Sequence, residues 1–336
     1  MTAKVQGITA TGDNILERIR DMGFAGIYRK YGTILIFAGI FILASLLNET
    51  FLTTGNLTNV LRQVVVISLL ACGVHFVITL GHIDVSLGSV VALTGTIAAS
   101  VMSLTQNLYL ALAAGILVGI LAGLINGLVV TYFKIPSFIM TLAMTTVARG
   151  AILLYTAGVP ISNLGDDFQI IGQGNIGPVP ISVLILVVAI LLCWVLLHRT
   201  RFGRHVYAVG GNPKAAVASG INSDSIIRKA FIINGVLAGV AGIVLMSRIN
   251  SGQPAAGVGY EFDAITAVVV GGTSLMGGTG SMMGTVIGSM IIGVINNILN
   301  LMNVSSYWQQ IIKGLIIAVA VILDVKTKSS GKGKKA

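Results

Sequence analysis

Carboxylates within or beside long apolar runs are the residues of this chain whose chemistry stands out. Asp84 lies in the segment GHIDVSLGS (81–89), and Glu261 and Asp263 begin a short apolar run that ends in glycines. A carboxylate inside a membrane is costly, so such residues mark solute pathways, paired charges or buried caps. The Asp84 carboxylate is placed to accept amide hydrogen bonds at the start of the next apolar helix, and this cap role is favoured over direct solute contact.

Polar and glycine residues of the apolar runs form one set of candidates for a path through the membrane. They are Asp84, Ser86, Gly88, Asn126, Glu261, Asp263 and Asn296. The asparagines are also candidates for hydrogen bonds between helices, and Arg149 is a candidate for snorkelling or for pairing with a carboxylate. Because charge is sparse in these runs, the set fits a neutral or weakly polar solute better than a proton-coupled pump.

Patterns for enzyme chemistry and metal binding are missing from the sequence. There is no GxxxxGK[ST] phosphate loop, so the chain has no ATP motor of that kind, and there is no HExxH pair. His75 and His82 stand seven residues apart across a predicted helix break, and Cys72 and Cys193 lie in apolar runs without CxxC spacing. We therefore expect no catalytic residues, no metal and no cofactor.

The composition is that of an integral membrane protein. Of 336 residues, 55% are hydrophobic and 10% are charged, whereas soluble domains carry about 25% charged residues. Glycines recur every four positions, as in closely packed membrane helices, at Gly115, Gly119, Gly123 and Gly127, at Gly235 and Gly239, and at Gly284 and Gly288. The net charge of +10 is explained by basic loops on one side of a membrane, so a nucleic-acid partner is not expected.

Apolar runs long enough to cross a membrane predict an all-α protein of about ten transmembrane helices. The predicted spans are 33–49, 58–80, 86–104, 108–132, 136–156, 180–197, 228–248, 261–277, 282–302 and 306–324. The run 261–277 is short and rich in glycine, which predicts either a full span or a broken, re-entrant helix.

The basic residues indicate which side of the membrane each loop faces. Residues 1–31 hold five Lys or Arg, the interval 198–230 holds six, and the stretch after Asp324 holds five of the chain's 21. Even numbers of predicted spans separate these clusters, so all three, and both termini, are expected in the cytoplasm. This predicts a cytoplasmic segment (1–31, an interfacial helix or a loosely ordered tail), a transmembrane domain (32–325) and a basic tail (326–336).

An internal repeat is indicated by two similar segments. GILAGLINGLVV (119–130) resembles SMIIGVINNILN (289–300) at an offset of 170 residues, and IDVSLGSVV (83–91) weakly resembles FDAITAVVV (262–270). The first pair falls in predicted spans four and nine, which cross the membrane in opposite directions, so the pattern predicts two inverted halves of five spans. Chance similarity between apolar segments is the alternative.

The interval 198–230 is the long polar break between apolar runs, and it contains a short helix signal. Asn212 is a good N-cap, Pro213 suits the first helical position, and Gly220 suits a left-handed C-terminal stop. The residues between them are tolerable to good helix formers. This predicts a two-turn helix displayed at a water-facing surface, a form suited to docking of a partner protein.

Three motifs together resemble the permease subunits of bacterial ABC importers for monosaccharides, with the ribose type nearest. They are GHIDVSLGS, TRFGRHVYAVGGNPKAAVASGI and YEFDAITAVVVGGTSLMGGTGSMMGT, and the resemblance runs from the first span to Asp324. It implies a type II-like importer fold, a separate cytoplasmic ATPase, a periplasmic or surface sugar-binding protein, and a second permease copy that is identical or related.

The resemblance also implies that the polar interval couples the permease to the ATPase. The importer loop pattern of Glu-Ala-Ala, three residues and Gly matches Lys214-Ala215-Ala216 and Gly220, except that Lys214 stands where Glu is usual. The implied coupling residues are Arg201, Gly203, Arg204, Asn212, Pro213, Lys214, Ala215, Ala216, Ser219 and Gly220.

The function these observations indicate is import of a monosaccharide across the bacterial cytoplasmic membrane by alternating access, driven by the separate ATPase. Membrane lipid surrounds such a chain, and the sequence does not say which sugar it carries. The alternative is a motor-independent transporter or facilitator for a small neutral solute, because inverted halves and glycine-rich helices occur there too. That alternative gives no reason for the capped helix after Asn212.

Overall fold

The structure, a computed structural model, describes residues 23–332, with side chains for residues 32–319, 321 and 322. Its α-helices are α1 Gly23–Leu47, α2 Thr54–Thr79, α3 Leu87–Thr105, α4 Leu108–Tyr132, α5 Ser137–Thr156, α6 Gly165–Gln173, α7 Ile181–Arg199, α8 Arg201–Gly211, α9 Pro213–Ala218, α10 Ser223–Ile249, α11 Tyr260–Val270, α12 Met282–Leu301 and α13 Ser306–Lys332. A 3-10 helix covers Glu49–Leu52, and β1 Asn175–Ile176 pairs antiparallel with β2 Val179–Pro180.

The predicted all-α membrane fold is confirmed. Within the described residues, seven helices are long and apolar enough to cross a membrane, namely α2, α3, α4, α5, α7, α10 and α12. Helix α1 begins at Gly23, before its predicted span, and the α13 backbone stays helical through Lys332, into the predicted tail. The predicted apolar stripe of Ile15, Leu16, Ile19 and Met22 lies outside the described residues.

The eighth predicted span, 261–277, is wrong as a continuous helix. Helix α11 has 11 residues and is therefore about 16 Å long, against a hydrocarbon core of about 30 Å. It ends because Gly272, Gly277 and Gly278 adopt positive φ angles between 76° and 88°, which an α-helix cannot contain. The following loop, residues 271–281, is called the glycine loop below.

Glycines let the central helix α10 approach α4 so closely that backbones touch. A Cβ atom placed on Gly119 would overlap the carbonyl oxygen of Gly235, and a Cβ atom on Gly235 would overlap that of Gly119. One turn along, a Cβ atom on Gly123 would overlap the carbonyl oxygen of Phe231. The predicted small-residue packing face is confirmed.

Contacts between helices occur twice, in the way that two repeated halves predict. Helix α4 packs on α10 and α3, while α12 packs on α2 and α11; likewise α3 packs on α5, and α11 on α13. The crossing of α4 and α10 at Gly123 and Phe231 has its counterpart where Gly293 of α12 meets Val64 of α2. Helices α1 and α7 depart from the scheme, because α1 packs on α12 whereas α7 packs on α2.

The connecting loops gather at two ends of the helix bundle. At the end that carries α8 and α9, Lys134 after α4 pairs with Asp224 at the start of α10. At the end that carries α6, Ile161 bridges to Gly252, and Arg62 donates to the carbonyl oxygen of Gln173. The loops group as the predicted order of crossings requires.

Candidate functional site

Helix α9 forms the predicted capped element. The Asn212 side chain accepts a hydrogen bond from the Ala215 N–H at 3.0 Å, and Pro213 occupies the first helical position. Gly220 has φ +81°, and the Ile221 N–H bonds to the Ala216 carbonyl at 3.0 Å, which is the hydrogen-bond pattern of a Schellman stop. The cap and the stop are both confirmed, so the element is rigid although it has only six residues.

Almost the whole surface of α9 is free. From Gly211 to Gly220 every residue is exposed except Ala216, which is buried against the rest of the chain. Val217 leaves 59% of its surface exposed at the end of the bundle where Lys134 and Asp224 pair. A capped helix that presents this much surface, including an apolar side chain, has the form of a docking element.

Helix α8, which precedes it, is not foreseen by the sequence analysis. Thr200 caps α8 by accepting from the Gly203 N–H at 3.3 Å, and Val206 and Val209 are buried three residues apart on one face. Arg201 and Arg204 are exposed as a coupling role requires. Gly203 is instead buried, because a Cβ atom there would overlap the Leu197 carbonyl oxygen, so it is not available to a partner.

Helix α8 connects the docking element to the membrane core. The Tyr207 hydroxyl donates to the Gly280 carbonyl of the glycine loop at 2.9 Å, and burial raises the pKa of this phenol, which keeps it protonated. The Gly278 N–H donates to the Thr79 carbonyl at 2.8 Å, and a Cβ atom on Gly210 would overlap that same carbonyl oxygen. A displacement of α9 therefore reaches the ends of both α2 and α11.

The first buried polar group, the Asp84 cluster, consists of Asp84, Ser86, Asn126 and Asn234. The carboxylate accepts from the Ser86 N–H at 2.8 Å, the Ser86 hydroxyl at 2.6 Å and the Asn234 amide at 2.8 Å. Asn126 donates to the Ser86 hydroxyl at 3.2 Å. All four residues are at most 3% exposed, and Asp84 has no ion pair among the described residues. The predicted cap role at the start of α3 is confirmed.

The second group, the Asp263 cluster, consists of Asp263, Asn296 and Lys313. The Lys313 ammonium lies 2.9 Å from the Asp263 carboxylate, which is 3% exposed, and Asn296 donates to the same oxygen at 3.3 Å. The sequence analysis overlooked Lys313. A single lysine within the last apolar run is itself the signal that a buried carboxylate partner exists.

Gly88 and Glu261 belong to a third place, where two non-helical segments meet inside the bundle. Residues 82–86 rise from the α9 end, residues 253–259 come from the α6 end, and a Cβ atom on either Gly88 or Gly257 would run into the other's carbonyl oxygen. We call this place the Gly88–Gly257 junction. The path candidates are thus divided among three sites, and the structure does not bring them together in one.

Arg149 clamps this junction from α5. Its Nη1 atom donates to the carbonyl oxygens of Pro254 at 2.5 Å and Ala256 at 2.9 Å, and its Nη2 atom donates to the Gly88 carbonyl at 3.5 Å. Glu261 lies against Gly88 and interacts electrostatically with Arg149. The sequence analysis predicted snorkelling or a carboxylate partner for Arg149 and missed its role in holding the 253–259 backbone.

No group of three or more His, Cys, Asp or Glu side chains in the described part of the chain is placed to hold a metal ion. His75 instead bonds to the hydroxyls of Thr285 at 2.8 Å and Thr273 at 3.2 Å, and both cysteines are buried. These side chains act in packing and in hydrogen bonds between helices.

Comparisons with known proteins agree on one family. The family model described as branched-chain amino acid transport system / permease component matches residues 56–321. The ribose import permease protein of Bacillus subtilis is 46% identical over 308 residues, covering 90% of this chain and 95% of that protein. The ribose import permease protein of Escherichia coli is 43% identical (84% and 90% covered), and its L-arabinose transport system permease protein is 36% identical (90% and 92% covered). No solved structure matches.

Proposed function

We propose a specific transport role from the premise that this chain belongs to the family of transport-system permease components. It is a multi-pass membrane subunit of an ABC importer, and it is a transport subunit and not an enzyme. We infer that its solute is a monosaccharide of the ribose type. The support is that the relatives aligned with most of the chain are named as ribose and arabinose permeases.

The observation that carries the coupling mechanism is the exposed helix α9. A permease that lacks a nucleotide-binding loop needs an external motor, and a rigid capped helix with a free surface is a suitable seat for one. When the ATPase closes on ATP, it moves α9 and α8 together. Because α8 bonds to the glycine loop and abuts Thr79, the movement reaches α11 and α2 and alternates access to the solute path.

The remaining partners and the orientation follow from this arrangement. The α9 end faces the cytoplasm, together with both termini, because the interval 198–230 is basic whereas the opposite loop 157–179 carries Asp166 and Asp167 and no Lys or Arg. A solute-binding protein docks at the α6 end, a second permease copy completes the path, and lipid covers the remaining apolar faces. Whether the second copy is identical to this chain is decided by co-purification of differently tagged copies.

A reconstitution experiment tests the function. The permease is placed in proteoliposomes with its ATPase and its binding protein, and uptake of radiolabelled ribose is measured with ATP, without ATP, and without the ATPase. We expect uptake only when all components and ATP are present. Uptake at full rate without ATP or ATPase would instead identify a motor-independent transporter, the alternative that two inverted halves alone also fit.

A further inference from the structure

We propose that the Gly88–Gly257 junction is the point where the solute contacts this chain, with Arg149 and Glu261 hydrogen-bonding to the hydroxyl groups of a small neutral polyol. The proposal rests on the proposed function and adds the residues that recognise the solute. It concerns one face of the chain, formed by α5 and residues 255–262.

The first argument is depth in the membrane. Arg149 lies 12 residues after the start of α5 and seven before its end, which places its Cα about 18 Å and about 10 Å from the two helix ends. The guanidinium therefore reaches the junction from within the apolar span. Ionisable groups at this depth face the bundle interior or a water-filled cavity, because contact with lipid is too costly.

The second argument is the backbone. Residues 82–86 and 253–259 are not helical, although both lie between membrane-spanning helices. Such backbone is tolerated at membrane depth only where protein buries it or where it lines water. Gly257 and Pro254 are buried, but Ala255 is exposed and Val258 is 75% exposed. The exposed part of the segment therefore borders an aqueous path.

The third argument is the chemistry displayed there. Arg149 uses part of its guanidinium to hold carbonyl groups and keeps further N–H donors, while Glu261 supplies acceptor oxygens. A donor and an acceptor side by side match adjacent hydroxyl groups, and their opposite charges give no net attraction for an ion. Phe262, 50% exposed on the same face, offers the apolar surface that the C–H side of a sugar requires.

Thiol labelling tests whether the face is wet. Cys72 and Cys193 are buried, so both are replaced by alanine to give a background without thiols. In the complete transporter, Val258→Cys should react with a charged, membrane-impermeant thiol reagent about tenfold faster than Leu192→Cys, because the thiolate that reacts forms only in water. Leu192 is a matched control, since it is 60% exposed in the middle of α7. Equal, slow labelling of both would mean that the junction faces lipid and would overturn the proposal.

Uptake by variants tests whether the solute touches the two charges. Glu261→Gln and Arg149→Gln should each lower ribose uptake about tenfold or more, as expected for loss of a hydrogen bond to a charged group. ATP hydrolysis stimulated by the loaded binding protein should stay near the unaltered level, and Arg149→Lys should restore part of the uptake. Unchanged uptake, or loss of stimulated hydrolysis together with uptake, would contradict solute contact. Failure of the proposed function is distinguishable, because it would appear as ATP-independent uptake by the unaltered chain.

Discussion

The Asp84 and Asp263 clusters hold the same kind of group in two different ways. Each has an aspartate that is 3% exposed, and each includes one of the asparagines that match in the repeat, Asn126 and Asn296. Asp263 is neutralised by the Lys313 ammonium, whereas Asp84 is held only by neutral hydrogen-bond donors. The two halves therefore share their helices and their buried carboxylate but not their charge balance.

This difference shows what the internal repeat conserves physically. Helix crossings recur because glycine and small residues fix how closely two backbones approach, and such positions tolerate little change. The counter-charge does not recur, since the position 170 residues before Lys313 is Ala143. A buried carboxylate can be stabilised by a cation or by several N–H and O–H donors, so the two halves were free to diverge here.

Removal of Lys313 gives the largest expected effect on this comparison. Lys313→Met leaves the Asp263 carboxylate buried without its cation, so we expect a loss of about 3–5 kcal/mol, seen as a lower melting temperature of the purified protein in detergent. The matched control is Lys134→Met, which breaks an exposed pair with side chains 67% and 43% exposed and should cost about 0–1 kcal/mol. The double variant Asp263→Asn with Lys313→Met should recover part of the loss; equal effects of the two Lys variants would contradict the account.

Changes at Asp84 should have a smaller effect, because no buried cation is left behind. Asp84→Ala leaves the Ser86 and Asn234 donors unsatisfied and should cost about 1–3 kcal/mol in the same melting assay. Asp84→Asn should recover about half of that, because the Asn234 amide can turn to present its oxygen, which has no partner in the structure. If Asp84→Ala destabilised the protein as much as Lys313→Met, Asp84 would have to be paired with a cation.

The smallest effects are expected at a repeat-related pair of helix crossings. Gly119 of α4 meets the Gly235 backbone, while 170 residues later Ser289 of α12 bonds to Ser68 at 2.7 Å. Gly119→Ala should cost about 1–3 kcal/mol by overpacking, and Ser289→Ala only about 0.5–1.5 kcal/mol for one hydrogen bond. Gly150→Ala, where nothing lies within 4 Å of the new Cβ atom, is the control and should be neutral. A neutral Gly119→Ala would mean that α4 and α10 are not in backbone contact.

The sequence predicts the helices well because their signals are local. Run length alone locates most spans to within a few residues, and Asn212, Pro213 and Gly220 predict α9 because caps and stops depend on adjacent residues. Helix α8 was missed because its basic residues suggest a loop, while its apolar stripe of Val206 and Val209 is short.

What the sequence does not predict depends on distant contacts. The run 261–277 looks apolar throughout, yet α11 stops at Val270 because the glycine loop must bond to Thr79 and Tyr207. Lys313 and Asp263 are 50 residues apart, and their pairing follows from how α13 packs on α11. Gly203, predicted on the surface, is buried by a turn against Leu197 that its residue type alone does not reveal.

The central claim, that this permease is driven through α9, is tested most directly by the same substitution at two left-handed glycines. Gly220 at the α9 stop and Gly158 at the α6 end have φ angles of +81° and +74°, and nothing lies within 4 Å of a new Cβ atom at either position. Co-purification of the ATPase with each variant is measured. Gly220→Arg should lose the ATPase and ATP-driven uptake while still inserting into the membrane, and Gly158→Arg should retain the ATPase. Retention of the ATPase and of uptake by Gly220→Arg would contradict the docking role of α9.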